Sequence, residues 1–416
     1  MSVSYIAYSD ATIGDYDAIV VGAGFAGSVI ARELAERGGF KILILEKRSH
    51  IAGNMYDERD SAGILVQRFG PHVFHTDSES VWRYINRFCT WHPYEHHVIG
   101  YWKGKAIPIP FNIDSIEAVF PAKTALRLER TLVDTFGENA EVSITDLTRF
   151  EDPDLKELAE FVHDCVFTTF TFKQWGISLE DLDPGIAARV PVRANRDGRA
   201  FTDRHQGVPE EGYTAMLERM LDYPGIDIAL ETDATSKFDL QFQSGGVESP
   251  CTGIRIKDEA YTGEIIYTGP IDELFLWRFS RLAYRSVRFK FENHTTETML
   301  PCGTVNYITD DEKATRITEF KHITGQKAST TTTVKEYPEE YKDPETQVPC
   351  YAILSNSSKE HYRRYAALVA NLPNFHLLGR LAEYNYYNMD TIVERSLHLA
   401  DELLVKMSSH DHHKHE

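Results

Sequence analysis

The chain has 416 residues, 42% of them hydrophobic and 12% aromatic, a balance that is typical of folded domains and excludes disorder as the default. Its formal net charge of -19 disfavours partners such as nucleic acid or an anionic membrane surface. No apolar run reaches the ~20 residues of a membrane helix, and the first residues, MSVSYIAYSDATIGD, lack the basic and apolar segments of a signal peptide. We therefore expect a cytoplasmic chain of two or three domains without membrane insertion.

Cysteine and histidine usage predicts no metal site and no disulfide framework. The five cysteines are scattered and form no CxxC pair. His72 and His75 lie three residues apart in RFGPHVFHT, but no third ligand follows at a suitable spacing. The histidine-rich residues 410–416 are expected to be solvated and disordered.

The first clear element is YDAIVVGAGFAGSVIARELAER, a β-branched run followed by a glycine turn and helical periodicity. Gly22, Gly24 and Gly27 have GxGxxG spacing, and a second strand, KILILEKR, follows. Glu46 ends that strand about 20 residues on, where a carboxylate can bond a ribose hydroxyl while the helix N-terminus faces a pyrophosphate. This βαβ unit predicts a dinucleotide site and leaves NAD or FAD open. The small-residue loop HIAGNMYDE after the acid favours an extended FAD.

The next segments predict a helix, a hairpin and a helical region. TDSESVWRYINRF has helical periodicity and an N-cap at Thr76 or Asp77. YEHHVIGYWKGKAIPIPFN alternates around Lys103 and Gly104, as hairpins do. Residues 113–170 have amphipathic helical runs interrupted by prolines, which indicates an inserted helical domain.

The remaining chain predicts a loop, a helix, a sheet and a final helix. Residues 171–213 lack periodicity and are rich in glycine, proline and arginine, as in mobile loops. An amphipathic helix is predicted near residues 213–221. Four strand-like segments between residues 284 and 336 predict an antiparallel meander. The last stretch, from NFHLLGRLAEY onward, predicts a strand, a glycine turn and a long helix.

Taken together, these motifs resemble the UDP-galactopyranose mutase family over nearly the whole chain. The matching stretches include EKRSHIAGN, FGPHVFHT, IPFN, KQWG, RVPVR, DRHQGVPEEGYT, YTGPID, YRSVRF, TRITEFKH, KEYP and GRLAEYNYYNMD. The resemblance implies an α/β fold with three parts. These are a discontinuous Rossmann-like FAD-binding domain (1–77, 208–275 and 372–408), an inserted helical domain (78–94 and 111–200, with a mobile loop at 171–200), and an antiparallel β-sheet domain (95–110 and 276–371), followed by a disordered tail (409–416).

The same resemblance implies a chemistry and its partners. The family interconverts the pyranose and furanose forms of a nucleotide sugar without net redox change, and N5 of reduced FAD attacks the anomeric carbon. It implies UDP-galactose as the substrate and a homodimer or a higher homo-oligomer.

The resemblance also assigns roles to individual residues. Cofactor binding is assigned to Gly22, Gly24, Phe25, Ala26, Gly27, Glu46, Lys47, Asn54, His72, Arg380 and Met389. Catalysis is assigned to His72, which would lie near the flavin, and to Arg189 and Arg316, because guanidinium groups suit a departing diphosphate. Substrate binding is assigned to Phe170, Trp175, Arg189, Arg316, Tyr351, Tyr386 and Asn388.

Departures from the family pattern leave the substrate open. Phe170 replaces a tyrosine, Ala200 stands where a tyrosine is usual, Asn388 replaces an aspartate, and His96 and His97 replace an asparagine-containing segment. A mutase acting on UDP-N-acetylgalactosamine or a GDP-sugar is therefore an alternative. A FAD-dependent oxidoreductase of the amine oxidase kind and a flavin-binding protein without catalysis are further alternatives.

Overall fold

The computed structural model describes residues 2–178 and 191–411 of the chain. Within these ranges the helices, in chain order, are α1 (Phe25–Gly38), α2 (Glu79–Ile85), α3 (Ile113–Val119), α4 (Ala122–Phe136), α5 (Ile144–Leu147), α6 (Pro153–Val162), α7 (Thr169–Trp175), α8 (Tyr213–Leu221), α9 (Ile271–Leu274), α10 (Phe320–Thr324), α11 (Asn356–Val369) and α12 (Met389–Asp411).

The strands of the described residues form six sheets. In chain order they are β1 (Ser4–Tyr5), β2 (Ala18–Val21), β3 (Ile42–Leu45), β4 (Asp57–Arg59), β5 (Leu65–Gln67), β6 (Phe74–Thr76), β7 (Trp91–Pro93), β8 (Val98–Trp102), β9 (Lys105–Ile109), β10 (Glu141–Val142), β11 (Val192–Arg193), β12 (His205–Pro209), β13 (Ile226–Ala229), β14 (Phe238–Phe242), β15 (Cys251–Ile256), β16 (Glu259–Ala260), β17 (Glu264–Tyr267), β18 (Tyr284–His294), β19 (Thr304–Asn306), β20 (Arg316–Glu319), β21 (Thr331–Glu340), β22 (Tyr351–Ala352) and β23 (Phe375–Leu377).

The first large sheet has six parallel strands in the order β1-β13-β3-β2-β17-β23. Side chains alternate between its faces, so Ala18 and Val20 pack with α1, α8 and α12 while Ile19 packs with the β14-β15 pair and α11. Both faces are covered, and the four residues of β3 are therefore all buried. The predicted α/β class with a Rossmann-like βαβ unit is confirmed.

The second large sheet has seven strands in the order β22-β18-β21-β20-β19-β8-β9. The predicted meander is correct for β19, β20 and β21, but β18 is not next to β19. It pairs with β21 over ten residue pairs, whereas β19 is three residues long and pairs in parallel with β8. The longer pairing satisfies more backbone groups, which explains the difference. The hairpin around Lys103 and Gly104 is confirmed as β8 and β9.

Helices α3 to α7 form the predicted helical region. A capping box of Asn112 and Ser115 starts α3, and Asp152 caps α6 with Pro153 in its first turn. A wider helical segment, His163–Thr168, leads directly into α7. Residues 171–175, which the sequence placed in a loop, are therefore helical, because the helix continues to its C-cap at Gly176.

The predicted ends of three helices can be compared with the observed ones. The N-cap of α2 is Ser78, whose hydroxyl accepts from the backbone N–H of Val81, so the predicted cap at Thr76 or Asp77 is wrong by one or two residues. The predicted helix over residues 213–221 is confirmed as α8. Residues 409–411, placed in a disordered tail, belong to α12, and residues 412–416 lie outside the described ranges. The boundaries of the three domains stay a prediction.

Residues 2–178 and 191–411 lack two features. They contain no helix with the length and apolar character needed to cross a bilayer. They also contain no group of three or more His, Cys, Asp or Glu side chains that could hold a metal ion.

Candidate functional site

An open cleft, with about 1250 Å³ of empty space when the adjoining solvent is included, lies at the carboxyl ends of the central parallel strands. Val21, Leu45 and Tyr267, the last residues of β2, β3 and β17, line it, as does Gly379 beyond β23. Ligands of open α/β sheets bind at this edge, because the loops and helix N-termini meet there. The position therefore makes the cleft the candidate ligand site.

The glycine turn brings backbone close to the cleft. Gly22 has φ +100°, and a Cβ there would overlap the Thr268 hydroxyl. A Cβ on Gly27 would overlap the carbonyl oxygen of Gly22, so the third glycine allows α1 to pack against the turn. Gly24 is the N-cap of α1 and supplies no side chain, which leaves N–H groups of the first turn available to an anion.

Glu46 stands at the end of β3 in the position expected for a ribose ligand. It is buried, one carboxylate oxygen accepts from the backbone N–H of Ala23 at 2.8 Å, and the other accepts from the N–H of Arg48 at 2.9 Å. A carboxylate accepts about four hydrogen bonds, so these two contacts orient the group and leave capacity for a hydroxyl.

Arg48 is a cleft residue that the sequence analysis missed. One terminal nitrogen donates to Asn54 Oδ1 at 2.8 Å, and the Asn54 amide donates to the carbonyl of Pro349 at 3.1 Å. The other terminal nitrogen, Nη1, is buried without a hydrogen-bond partner among the described residues. Burial lowers the pKa of Arg48. A buried donor without a partner is costly, and an acceptor oxygen of a ligand in the cleft would satisfy it.

The loop after β5 presents His72 to the same cleft. Its carbonyl accepts from Gln67 Nε2 and from the Tyr213 hydroxyl, each at 3.2 Å. His72 Nδ1 lies 2.9 Å from the carbonyl of Gly70, so Nδ1 carries the proton and Nε2 is an acceptor. Burial and the charge of Arg380 lower the pKa of His72 to about 4. The imidazole is therefore neutral at pH 7.

A second group of predicted residues meets beside this cleft. The Trp175 ring packs edge-on against Tyr351 and Tyr386, with ring centroids 4.9 and 5.5 Å apart. The Tyr351 hydroxyl donates to the carbonyl of Gln174 at 3.1 Å, which ties the end of α7 to β22. Trp175 and Tyr351 are both buried. This aromatic cluster contains three of the residues assigned to substrate binding.

Two arginines connect the aromatic cluster to the cleft. Arg380 lines the cleft, lies over the Tyr386 ring at 4.8 Å and donates to the carbonyl of Tyr387 at 3.1 Å. Arg316 pairs with Glu336, and its charge also contributes to the lowered pKa of His72. The structure thus concentrates guanidinium groups where the two groups of residues meet.

Most of the residues assigned to cofactor binding line the cleft, and their roles stay predictions. The exception is Gly27, which packs behind the turn. Asn388 lines the cleft as well, while Phe170 lies half-buried on α7 one turn and a half before Trp175. Arg189 lies outside the described residues.

A loss of stability on mild acidification is expected from His96, a departure from the family pattern. It is 7% exposed, and burial together with the charge of Arg316 lowers its pKa to about 3. The unfolded chain binds the proton near pH 6.5, so stability is retained above that pH and falls below it. Between pH 7 and pH 5 the free energy of unfolding is expected to drop by about 2 kcal/mol through this residue.

Urea unfolding of the parent and of His96→Asn at pH 7 and pH 5 measures that contribution. The variant is expected to lose about 2 kcal/mol less than the parent between the two pH values. Equal losses in both proteins would show that His96 is protonated as easily in the folded state as in the unfolded chain.

The parallel sheet, the glycine turn and the carboxylate at the end of β3 define a dinucleotide-binding protein of the Rossmann type. A family model for an NAD(P)-binding Rossmann-like domain matches residues 20–88, and a model described as UDP-galactopyranose mutase matches residues 165–386, more than half of the chain. The chain belongs to the UDP-galactopyranose mutase family, whose members are isomerases.

Individual relatives span nearly all of the chain. A probable UDP-galactopyranose mutase of Klebsiella pneumoniae is 31% identical over 395 residues, which cover 94% of this chain and 96% of that protein. A dTDP-fucopyranose mutase of Escherichia coli is 29% identical over 384 residues, covering 92% of this chain and 97% of that protein. A crystal structure of reduced UDP-galactopyranose mutase has a TM-score of 0.68 at 15% identity and 94% coverage of both chains, a likeness in fold.

Proposed function

We propose that this protein is a flavin-dependent mutase that interconverts UDP-galactopyranose and UDP-galactofuranose. The observation that carries the proposal is Arg316, a guanidinium group held by a buried carboxylate between a dinucleotide cleft and a cluster of aromatic side chains. A nucleoside diphosphate needs both the guanidinium group and the aromatic cluster, because its phosphates are recognised by fixed guanidinium forks and its base by aromatic rings.

FAD is the proposed occupant of the cleft. The glycine turn and the free first turn of α1 suit a pyrophosphate, Glu46 suits a ribose, and the unpartnered nitrogen of Arg48 suits a further acceptor. When bound and reduced, the flavin supplies a nucleophilic N5 for attack on the anomeric carbon. The protein then has to hold the sugar, the diphosphate and water in suitable positions.

Holding the departing diphosphate is the proposed task of Arg316. Its Nε is bonded to Glu336 at 2.7 Å, which leaves the two terminal nitrogens of the fork for phosphate oxygens. The sequence assigns a second guanidinium, Arg189, to the same task. Tyr351 and Tyr386 lie close enough to Arg316 to interact with its charge, so they flank the proposed diphosphate position. The Tyr351 hydroxyl already donates to the carbonyl of Gln174, so its proposed contact with the substrate is made by the ring.

His72 is proposed to act as a neutral group beside the flavin. Its proton on Nδ1 is bonded to the carbonyl of Gly70, which leaves Nε2 as the acceptor of a side chain that lines the cleft. A protonated His72 would add a third positive charge near Arg316 and Arg380, and its low pKa avoids that repulsion. The residue therefore serves as a hydrogen-bond acceptor and carries no charge during turnover.

The proposed activity is tested by chemical reduction of the purified protein without oxygen and incubation with a panel of nucleotide sugars. The panel contains UDP-galactofuranose, UDP-N-acetylgalactosamine, a GDP-sugar and dTDP-fucopyranose, with chromatography of the products. Conversion of UDP-galactofuranose to the pyranose at the highest kcat/KM is the expected result. A higher kcat/KM for another member of the panel would change the substrate and keep the reaction, whereas net oxidation of a sugar would contradict a mutase.

A further inference from the structure

Glu336 occupies a central place among the charged groups beside the cleft. It lies on β21 directly opposite Arg316 of β20, its side chain is 3% exposed, and one carboxylate oxygen accepts from Arg316 Nε at 2.7 Å. The Arg316 side chain is 31% exposed. The carboxylate is thus buried beneath a guanidinium group whose outer part reaches an open region.

The same carboxylate lies beside the loop that carries His72. A Cβ on Gly70 would lie 3.3 Å from Glu336 Oε1, so the carboxylate fills the space that a side chain at this position would need. Gly70 in turn accepts from His72 Nδ1 through its carbonyl at 2.9 Å. Glu336 therefore bonds Arg316 directly and lies beside the Gly70 residue that accepts from His72.

A guanidinium group held at Nε has a fixed plane. The long arginine side chain otherwise has several rotatable bonds, and its rotamer entropy is lost each time that it binds a phosphate. A charge-assisted bond to a buried carboxylate removes this cost before the ligand arrives. Preorganisation of this kind strengthens binding without a new ligand contact.

We propose that Glu336 is a positioning residue for the diphosphate site. It fixes the plane of the Arg316 guanidinium group and lies beside the loop that carries His72. The inference rests on the proposed function, because it takes Arg316 as a ligand of the diphosphate. Glu336 itself touches neither phosphate nor cofactor in this role.

A positioning role and a purely electrostatic role of Glu336 predict opposite effects on the affinity for UDP. A carboxylate near a diphosphate repels it, so a residue that acted only through its charge would weaken UDP binding, and its removal would strengthen binding. A positioning residue strengthens UDP binding, and its removal weakens binding. Glu336→Asp keeps the charge and withdraws the carboxylate from Arg316 and Gly70, whereas Glu336→Gln keeps the shape and removes the charge.

UDP binding to the flavin-loaded protein, measured by titration calorimetry, separates these roles. We expect Glu336→Asp to raise the Kd for UDP about tenfold and Glu336→Gln to raise it about threefold, since a hydrogen bond between two charged groups is stronger than one to a neutral amide. The absorbance of bound flavin should equal that of the parent in both variants. Glu340→Gln, on the same strand with an exposed carboxylate, is the matched control and is expected to leave the Kd unchanged.

A double-mutant cycle tests whether the effect passes through Arg316. In an Arg316→Ala background, Glu336→Asp is expected to change the Kd by less than twofold, because the group that it positions is gone. Equal effects in both backgrounds, or tighter UDP binding by either single variant, would overturn the positioning role. A parent protein that binds no UDP would instead contradict the proposed function, so the two failures are distinguishable.

Discussion

Replacement of Arg316 by alanine is expected to lower kcat by at least about a hundredfold while the protein keeps its flavin. The reason is the charge that develops on the diphosphate as the glycosidic bond breaks, since Arg316 is the described guanidinium group that Glu336 holds between the cleft and the aromatic cluster. Steady-state turnover of UDP-galactofuranose under reducing conditions, together with the flavin absorbance of the same sample, measures both parts of the expectation.

Arg363→Ala is the matched control for that experiment. Arg363 lies on α11 with a side chain 70% exposed and pairs with Glu360, so its removal is expected to leave turnover unchanged. Arg316→Ala leaves the buried Glu336 carboxylate without a cation and could unfold the protein for that reason alone. Arg316→Lys keeps a positive charge opposite Glu336 and so controls for this loss of stability. Full activity in Arg316→Ala or in Arg316→Lys would refute the assignment of this residue to the diphosphate.

Replacement of Gly27 by alanine is expected to abolish flavin retention and to lower the melting temperature. A Cβ at this position would overlap the carbonyl oxygen of Gly22, and backbone cannot yield as a flexible side chain does. Relief requires α1 to move away from the turn, which displaces the N-terminal N–H groups from the expected pyrophosphate. The ratio of flavin to protein after purification and a thermal melt measure the two effects.

Gly14→Ala provides the control, because a Cβ on Gly14 would have no atom within 4 Å. It is expected to melt within about 2 °C of the parent, as surface substitutions do. A Gly27→Ala protein that retained a full complement of flavin would contradict the packing role of the third glycine.

The sequence predicted those parts of the fold whose signals are local. The strand Ala18–Val21, the glycine turn and α1 follow one another within 21 residues, so their spacing alone identifies the βαβ unit. Helix α8 was predicted with the observed bounds, because its apolar positions repeat at helical spacing. The N-cap of α2 was predicted wrongly because the local sequence does not decide it. Thr76, Asp77 and Ser78 are all good caps, and only the backbone geometry selects Ser78.

Features that depend on distant residues were not predicted. The pairing of β18 with β21 joins residues 37 to 55 positions apart, from His294 with Thr331 to Arg285 with Glu340, and no local pattern prefers it to a pairing with β19. The start of the loop was placed too early, at residue 171. The wider helical segment His163–Thr168 shifts the spacing of apolar residues, so the sequence does not show that the helix continues into α7. Periodicity therefore predicted the elements and not their order in the second sheet.

The candidate site shows the same division. His72 and Arg316 were predicted by resemblance, and the structure places His72 in the cleft and Arg316 near enough to lower the pKa of His72. Arg48 was missed because a charged residue after a strand usually faces water, and only the fold turns its nitrogen inward. Glu336 was also missed, since its importance comes from its bond to Arg316 and its position beside Gly70, and both residues are remote in sequence.

The central claim is that this chain uses a reduced flavin to rearrange a nucleotide sugar. The most direct measurement follows conversion of UDP-galactofuranose by one anaerobic sample of purified protein, first with its flavin oxidised and then after reduction with dithionite. The account predicts that conversion begins only after reduction and that the flavin remains reduced throughout, because the isomerisation involves no net electron transfer. Equal conversion by the oxidised protein, or purified protein without flavin that fails to take up FAD, would contradict it.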